Sequence, residues 1–299
     1  MAAAIAAGQS ATQLAESGHC REALPLLKTE LAKATSAVAQ KRLGIDGVRC
    51  GMTLDDLDAA LDFLRGLNRR FPNDAEVLYL SVHVFSDLSI RASHKLMRAD
   101  PSAYQVHELN AEAMETEGKW KDAEAEYREV LKRNPQLPGI HYRIARLLLS
   151  GPGEAATNAD AKAAARRELE AELKIDPANA GAEYVLGELA RQDGKDADAI
   201  AHFGRATKLD AGFADAFIGL GRTLLAADRA ADAIPPLQTA VKLEPDSPIA
   251  HFNLATAYSR TGRKDDAERE FALLKQVSEK LKASTDRVRQ GINAAPPQP

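Results

Sequence analysis

The chain has 299 residues, with 39 Lys and Arg against 43 Asp and Glu for a net charge of −4, and is 45% apolar but only 5% aromatic. Basic residues scattered among a slight excess of acids argue against a nucleic-acid binder, because a phosphate backbone rewards a basic face. No apolar run approaches the roughly 20 residues needed to cross a bilayer, so no membrane insertion is expected.

The opening MAAAIAAGQS has no basic flank and too short an apolar stretch for a signal peptide. A cytoplasmic location is therefore favoured, with a periplasmic or secreted one open if a leader was removed. The segment GHCREALPLLKTEL (18–31) carries a turn glycine, Gly18, then Ala23 and Leu27 in helical spacing. DAALDFLRGLNRRFP (58–72) repeats the pattern with Ala60, Leu64 and a stop proline, Pro72. The next unit is short, since Pro72 and Pro101 are only 29 residues apart.

From residue 102 the pattern becomes regular. Ala165, Ala199, Ala233 and Ala267 fall 34 residues apart, each followed four residues later by Leu169, Phe203, Leu237 or Phe271. Ala123 and Tyr127 form the same pair 42 residues upstream of Ala165 and Leu169, so eight extra residues are placed in GPGEAATNAD (151–160). Gly118, Gly194 and Gly262 stand five residues before the alanine, with Asp228 in the intervening unit. These are residues that tolerate the left-handed backbone on which a helix reverses. Pro135, Pro177 and Pro245 come twelve residues after it, with Ala211 the exception, and stop the second helix. The first helices read YVLGELA, FIGLGRTL and FNLATAY, with a bulky residue ahead of Gly187, Gly221 or Ala255. Pro25 and Pro235 share one offset, two residues after the alanine, which ties the first unit to the later register.

A fixed period of this size means stacked helical hairpins. The pattern resembles the tetratricopeptide repeat family, whose WxxLGxxY first helix, turn Gly, and Ala, aromatic, Ala and Pro in the second helix match these positions. The resemblance implies an all-α fold, a right-handed superhelical solenoid of about eight helix-turn-helix units. Residues 1–101 would form divergent units and 102–279 regular ones. Glu279 replaces the stop proline while Leu274, Val277, Leu281 and Val288 continue a helical pattern. Residues 280–292 are thus expected as a capping helix, or else as a dimer surface, and 293–299 as a disordered tail. Leu220 is expected to be buried between stacked helices.

Cys20 begins a second helix and Cys50 lies near the end of a first. Without a CxxC, the expectation is two unpaired thiols in a reducing compartment, a bridge requiring that stacking bring the two together. His107 and His141 are 34 residues apart and His251 occupies the same fourth position of its unit. Equivalent residues on stacked units sit about 8–10 Å apart. Zinc ligands must converge to about 2 Å from one ion, so packing is expected of these histidines, with no metal and no cofactor. The chain has no GxGxxG, GxxxxGK[ST], GxSxG or HExxH, which argues against an enzyme.

What the resemblance leaves is a surface. In this family the first helices line a concave groove with their second, fifth, ninth, twelfth and thirteenth positions. Carried over by register, Tyr142 and Arg146, Tyr184 and Glu188, Ile218 and Arg222, and Phe252 with Thr256 pair four residues apart on successive helices, and Arg191, Leu225 and Arg260 extend the strip. Apolar anchors interleaved with guanidinium groups suit a peptide or partner protein bearing carboxylates. The competing reading is that Arg146, Glu188 and Arg222 neutralise one another while the aromatics pack on neighbouring units. Glu108 and Glu112 have the wrong sign for gripping a chaperone's C-terminal carboxylate. The expected function is a non-catalytic binding scaffold; the alternative is a structural subunit that forms a homo-oligomer through its C-terminal helix.

Overall fold

The computed structural model describes residues 10–150 and 159–293, and within these every regular element is a helix. The chain forms two compact units, residues 1–101 and 102–299. The expected insertion at 151–160 falls almost wholly outside the described residues, and so does the tail beyond Asn293.

In the first unit, α1 (Ala11–Glu16) pairs with α2 (Cys20–Lys33) and α3 (Ala37–Thr53) with α4 (Leu57–Arg70), followed by α5 (Ala75–Ala99). In the second, α6 (Tyr104–Thr116) pairs with α7 (Trp120–Arg133), α8 (Ile140–Ser150) with α9 (Ala159–Ile175), and α10 (Ala180–Gln192) with α11 (Asp196–Leu209). α12 (Ala214–Ala226) with α13 (Ala230–Leu243) and α14 (Pro248–Arg260) with α15 (Lys264–Asn293) complete it. Within each unit, the helices of a pair pack on one another and on the next helix or pair.

The reversals obey the register. Gly18, Gly118, Gly194 and Gly262 have φ of +81°, +73°, +70° and +76°, and Asp228 takes the same conformation at +57°. Asp55, five residues before Ala60, joins them at +59°. Aspartate pays less than most side chains for the left-handed region, so the turn survives without glycine. The second helices α7, α9 and α13 end two residues before Pro135, Pro177 and Pro245. Where Ala211 stands instead, Asp210 Oδ1 accepts the Gly212 N–H at 2.8 Å and α11 still ends at Leu209.

Small residues set the contact distance. A Cβ built on Gly219 of α12 would lie 2.7 Å from Phe203 Cε1, and one on Gly187 of α10 would lie 2.9 Å from the same ring. Phe203, fully buried, is thus a wedge of α11 held between two glycines of the flanking first helices. The repeated Ala23, Ala60, Ala123, Ala165, Ala199 and Ala233 are all 0% exposed, as close helix contact requires.

Three expectations need correction. The short third unit is no hairpin: α5 runs unbroken for 25 residues, because nothing between Ala75 and Ala99 is Gly or Pro. Residues 280–292 need no correction as a helix: they continue α15, a 30-residue helix that no proline interrupts at Glu279, with Leu281 on it 58% exposed. Cys20 and Cys50 are not free thiols: they form a disulfide with Cα atoms 4.9 Å apart. The antiparallel packing of α2 on α3 sets the start of one beside the end of the other, and both cysteines are buried. Leu220 is only half-buried.

The histidines serve the hairpins in a manner that packing alone does not describe. Nδ1 of His107, His141 and His251 lies 2.6 Å from Oε2 of Glu126, Glu168 and Glu270, each three residues past the repeated alanine of its own second helix. In the α10–α11 hairpin the pair is inverted, Glu183 on the first helix meeting His202 on the second at 2.6 Å. Burial opposes the Glu183 carboxylate, but Arg205 and His202 outweigh it and hold its pKa below the usual range. Each rung ties the two helices of a hairpin together by charge-assisted contact.

Candidate functional site

The site is built on the first helices α8, α10, α12 and α14. Buried Glu172 of α9 fixes the start of α8: Oε1 accepts the Gly139 N–H at 2.6 Å and the Asn179 side-chain amide at 3.1 Å, and Oε2 accepts the Tyr142 N–H at 3.3 Å. A carboxylate on free helix N–H groups also meets the positive end of the helix dipole. Tyr142 is thereby aimed across to α10, where its hydroxyl lies so near Gly181 that a Cβ there would be 2.9 Å from it. The Arg146 guanidinium sits 5.9 Å from the Tyr142 ring centroid and has no carboxylate partner among the described residues.

Tyr184 repeats this bridging one hairpin on. Its ring lies 5.7 Å from Phe203 and 4.9 Å from Phe213, which precedes α12. Burial, with the charges of Glu188 and Asp215, pushes its phenol up to about 12, while Arg191 and Arg222 pull the other way. Arg222 of α12 therefore shares the electrostatic surroundings of Tyr184 on α10. Glu188 is engaged by Arg191 of its own helix, Nη2 to Oε2 at 2.7 Å, and not by Arg146 or Arg222. Arg222 forms no ion pair among the described residues, so the competing expectation of mutual neutralisation does not describe this strip.

Three expected groove residues serve the interior or the backbone. Ile218 is 7% exposed and packs with Ala240 and Ala250, while Leu225 is 6% exposed within the core shared by α12–α15. Both are covered because the α14–α15 hairpin stacks on α12, leaving neither side chain to a partner. Arg260 turns inward to cap α12, its Nη1 donating to the Leu225 carbonyl at 2.6 Å.

Two of the remaining residues meet at one cleft. Arg222 and Phe252 line a concavity of about 420 Å³ with Pro248, Ile249, Asn253 and Leu274. Phe252 is 52% exposed and Ile249 55%, two large apolar side chains beside an unpaired guanidinium. Asn253 is held by donating to the Ile249 carbonyl at 2.7 Å. Ile249 occupies the second position of its unit and was within reach of the same counting that found Phe252. Leu274 comes from a second helix, where counting along first helices does not look. The cleft can accept an apolar side chain over Phe252 and Ile249 with a carboxylate on Arg222.

A tetratricopeptide repeat family model matches residues 218–277, which span most of α12, all of α13 and α14, and the first half of α15. No curated protein matches the sequence. Among solved structures, a MamA protein is 21% identical and covers 59% of this chain and 92% of its own, with a TM-score of 0.50. MamA from Desulfovibrio magneticus RS-1 is 17% identical over 59% of this chain and 96% of its own, at a TM-score of 0.50. YrrB, described as a TPR protein with an unusual peptide-binding site, is 15% identical over 62% of this chain and 92% of its own, also at 0.50. At these identities the likeness is one of fold, and it agrees with the helical pairs, the left-handed turns and the buried alanines. Residues 218–277 match the tetratricopeptide repeat family, and the fold of the second unit is that of tetratricopeptide repeat structures.

Proposed function

We propose that the chain is a non-catalytic interaction scaffold whose 102–279 repeats hold a peptide or partner protein along α8, α10, α12 and α14. The coarse part, a protein-interaction scaffold, is what the match to the repeat family supports. The finer part rests on one observation: Arg222 stands without an acidic partner among the described residues at the edge of a cleft that exposes Phe252 and Ile249. An unpaired guanidinium beside exposed apolar anchors favours a segment that carries both a carboxylate and a bulky apolar side chain. Tyr142 with Arg146 offers a second, weaker foothold of the same kind. The test is affinity capture from the native extract with mass spectrometry of what is retained, comparing the parent chain with Arg222→Glu and Phe252→Ala. Partners held by the parent and lost by both variants, at unchanged helical content, support the reading; undiminished capture by both removes it.

The second reading, self-association through the C-terminal helix, draws on α15, where Phe271, Leu273 and Leu281 are 42%, 41% and 58% exposed. Light scattering on the parent chain and on one lacking residues 275–291 separates the readings. A stable oligomer that falls to monomer on truncation favours the second. The Cys20–Cys50 disulfide inclines the proposed location towards an oxidising compartment and away from the cytoplasm.

A further inference from the structure

A second cleft lies in the first unit, on the opposite kind of helix. α2 and α4 are the second helices of consecutive hairpins, and both rest on α3 between them. Between them opens a concavity of about 440 Å³. Its apolar lining is Leu31, Phe63, Leu67 and Phe71, and its cations are Lys28, Arg69 and Arg70.

The shape follows from two glycines that act in different ways. Gly44 of α3 lets Leu67 sink onto the helix, since a Cβ there would be 2.6 Å from Leu67 Cδ2. Gly66, beside Leu67 in sequence, faces open space: beyond its own stretch of helix, no described atom lies within 4 Å of where a Cβ would be. One glycine lowers the floor and the other leaves the wall bare.

The charges around it are unbalanced. Neighbouring cations of this unit are engaged: Arg65 pairs with Asp62 at 2.9 Å, Lys41 with Asp74 at 3.0 Å, and Arg42 with Glu16 at 2.6 Å. Lys28, Arg69 and Arg70 have no ion pair among the described residues, and Asp62, the acid in the lining, is taken by Arg65. Arg69 and Arg70 also lie in the last turn of α4, where the helix dipole favours them. Lys28 sits mid-helix in α2 and has no such reason to face this cleft. In a chain with more acids than bases, three uncompensated cations around an apolar floor are complementary to an anionic ligand with an apolar anchor.

We propose that this cleft is a second peptide-binding site, independent of the strip on α8–α14, which takes a short acidic segment of a partner protein. A large apolar side chain seats over Phe63 and Leu67 while flanking carboxylates meet Lys28, Arg69 and Arg70. A nucleic-acid backbone would use the cations and leave the apolar floor unmet, so the peptide is the better fit.

The test uses the full chain carrying Arg222→Glu, which takes the strip's guanidinium out of play. Fluorescence anisotropy is measured with a fluorescein-labelled peptide of repeating Glu-Glu-Leu-Leu, against Lys-Lys-Leu-Leu and Glu-Glu-Ser-Ser versions, with sodium dodecanoate as competitor. The Glu-Leu peptide is expected to bind saturably and the other two not. Adding Arg69→Glu with Arg70→Glu, or Gly66→Leu to fill the wall, should weaken it at least about tenfold, and circular dichroism shows which variants remain folded. Equal binding of the Lys-Leu peptide, affinity untouched by both sets of substitutions, or displacement by dodecanoate at submicellar concentration would overturn the proposal, the last assigning the cleft to a lipid. Loss of all binding with Arg222→Glu alone would also overturn it, while leaving the strip on α12 and α14 supported.

Discussion

Arg260 and Leu225, 35 residues apart, are joined by a guanidinium-to-carbonyl hydrogen bond of 2.6 Å that closes the end of α12 from the end of α14. Counting placed both on a binding strip, yet one is interior and the other holds the backbone. Arg260→Ala should therefore cost about 1 kcal/mol in urea denaturation, the worth of one charged hydrogen bond at a partly open site, and leave partner capture unchanged. Capture that falls with stability intact would return Arg260 to the strip.

The disulfide makes the first unit sensitive to redox state. Replacing Cys20 and Cys50 by Ser should cost about 3 kcal/mol, the range for a loop of this length, seen as a lowered thermal midpoint. The parent chain under strong reductant should move to the same midpoint. A midpoint indifferent to both treatments would show that the bridge contributes nothing.

Asp46 is buried in α3, 5% exposed, with Oδ2 unpartnered among the described residues, and burial pushes its carboxyl up despite Thr12 and nearby arginines. A carboxyl whose folded pKa lies above its unfolded one takes up protons on folding. It therefore costs stability above the folded pKa, and that cost fades as pH falls through the folded value towards the unfolded one. Asp46→Asn should raise stability by about 1 kcal/mol at neutral pH, with the gain shrinking in acid. A gain equal at every pH would mean that ionisation is not its source.

Two glycines in neighbouring helices should respond with opposite signs. Gly219→Val drives methyl groups into Phe203 and should cost about 1–3 kcal/mol. Gly204, inside α11, has open space where a Cβ would stand, and should gain about 0.5–1 kcal/mol on change to Ala. Equal responses in thermal denaturation would break the link between these contacts and the register.

The hairpins were legible in the sequence because their turns need a residue that accepts positive φ, and Gly and Asp mark it at a fixed distance from a buried alanine. The continuous α5 could have been foreseen from its lack of breakers, had the period not suggested a hairpin there. The cysteine pair could not, since period counting fixes which positions are equivalent and not which helix ends meet. Exposure along the proposed strip was legible in part. Arg222 and Phe252 stand where the register put them, but Ile218 and Leu225 were claimed by the α14–α15 hairpin stacking on α12, a contact between units that one unit's positions do not encode. The His–Glu rungs carried a readable signal, three residues past each alanine, which appears only when both helices of a hairpin are compared.

Hydrogen exchange on the chain with its captured partner bears most directly on the claim that first helices of the 102–279 repeats form the binding face. The expected result is slowed amides centred on α12 and α14 around Arg222, Ile249 and Phe252, with α11 and α13 unchanged. Slowing confined to α11, α13 and the far end of α15, with α12 and α14 unaffected, would contradict it.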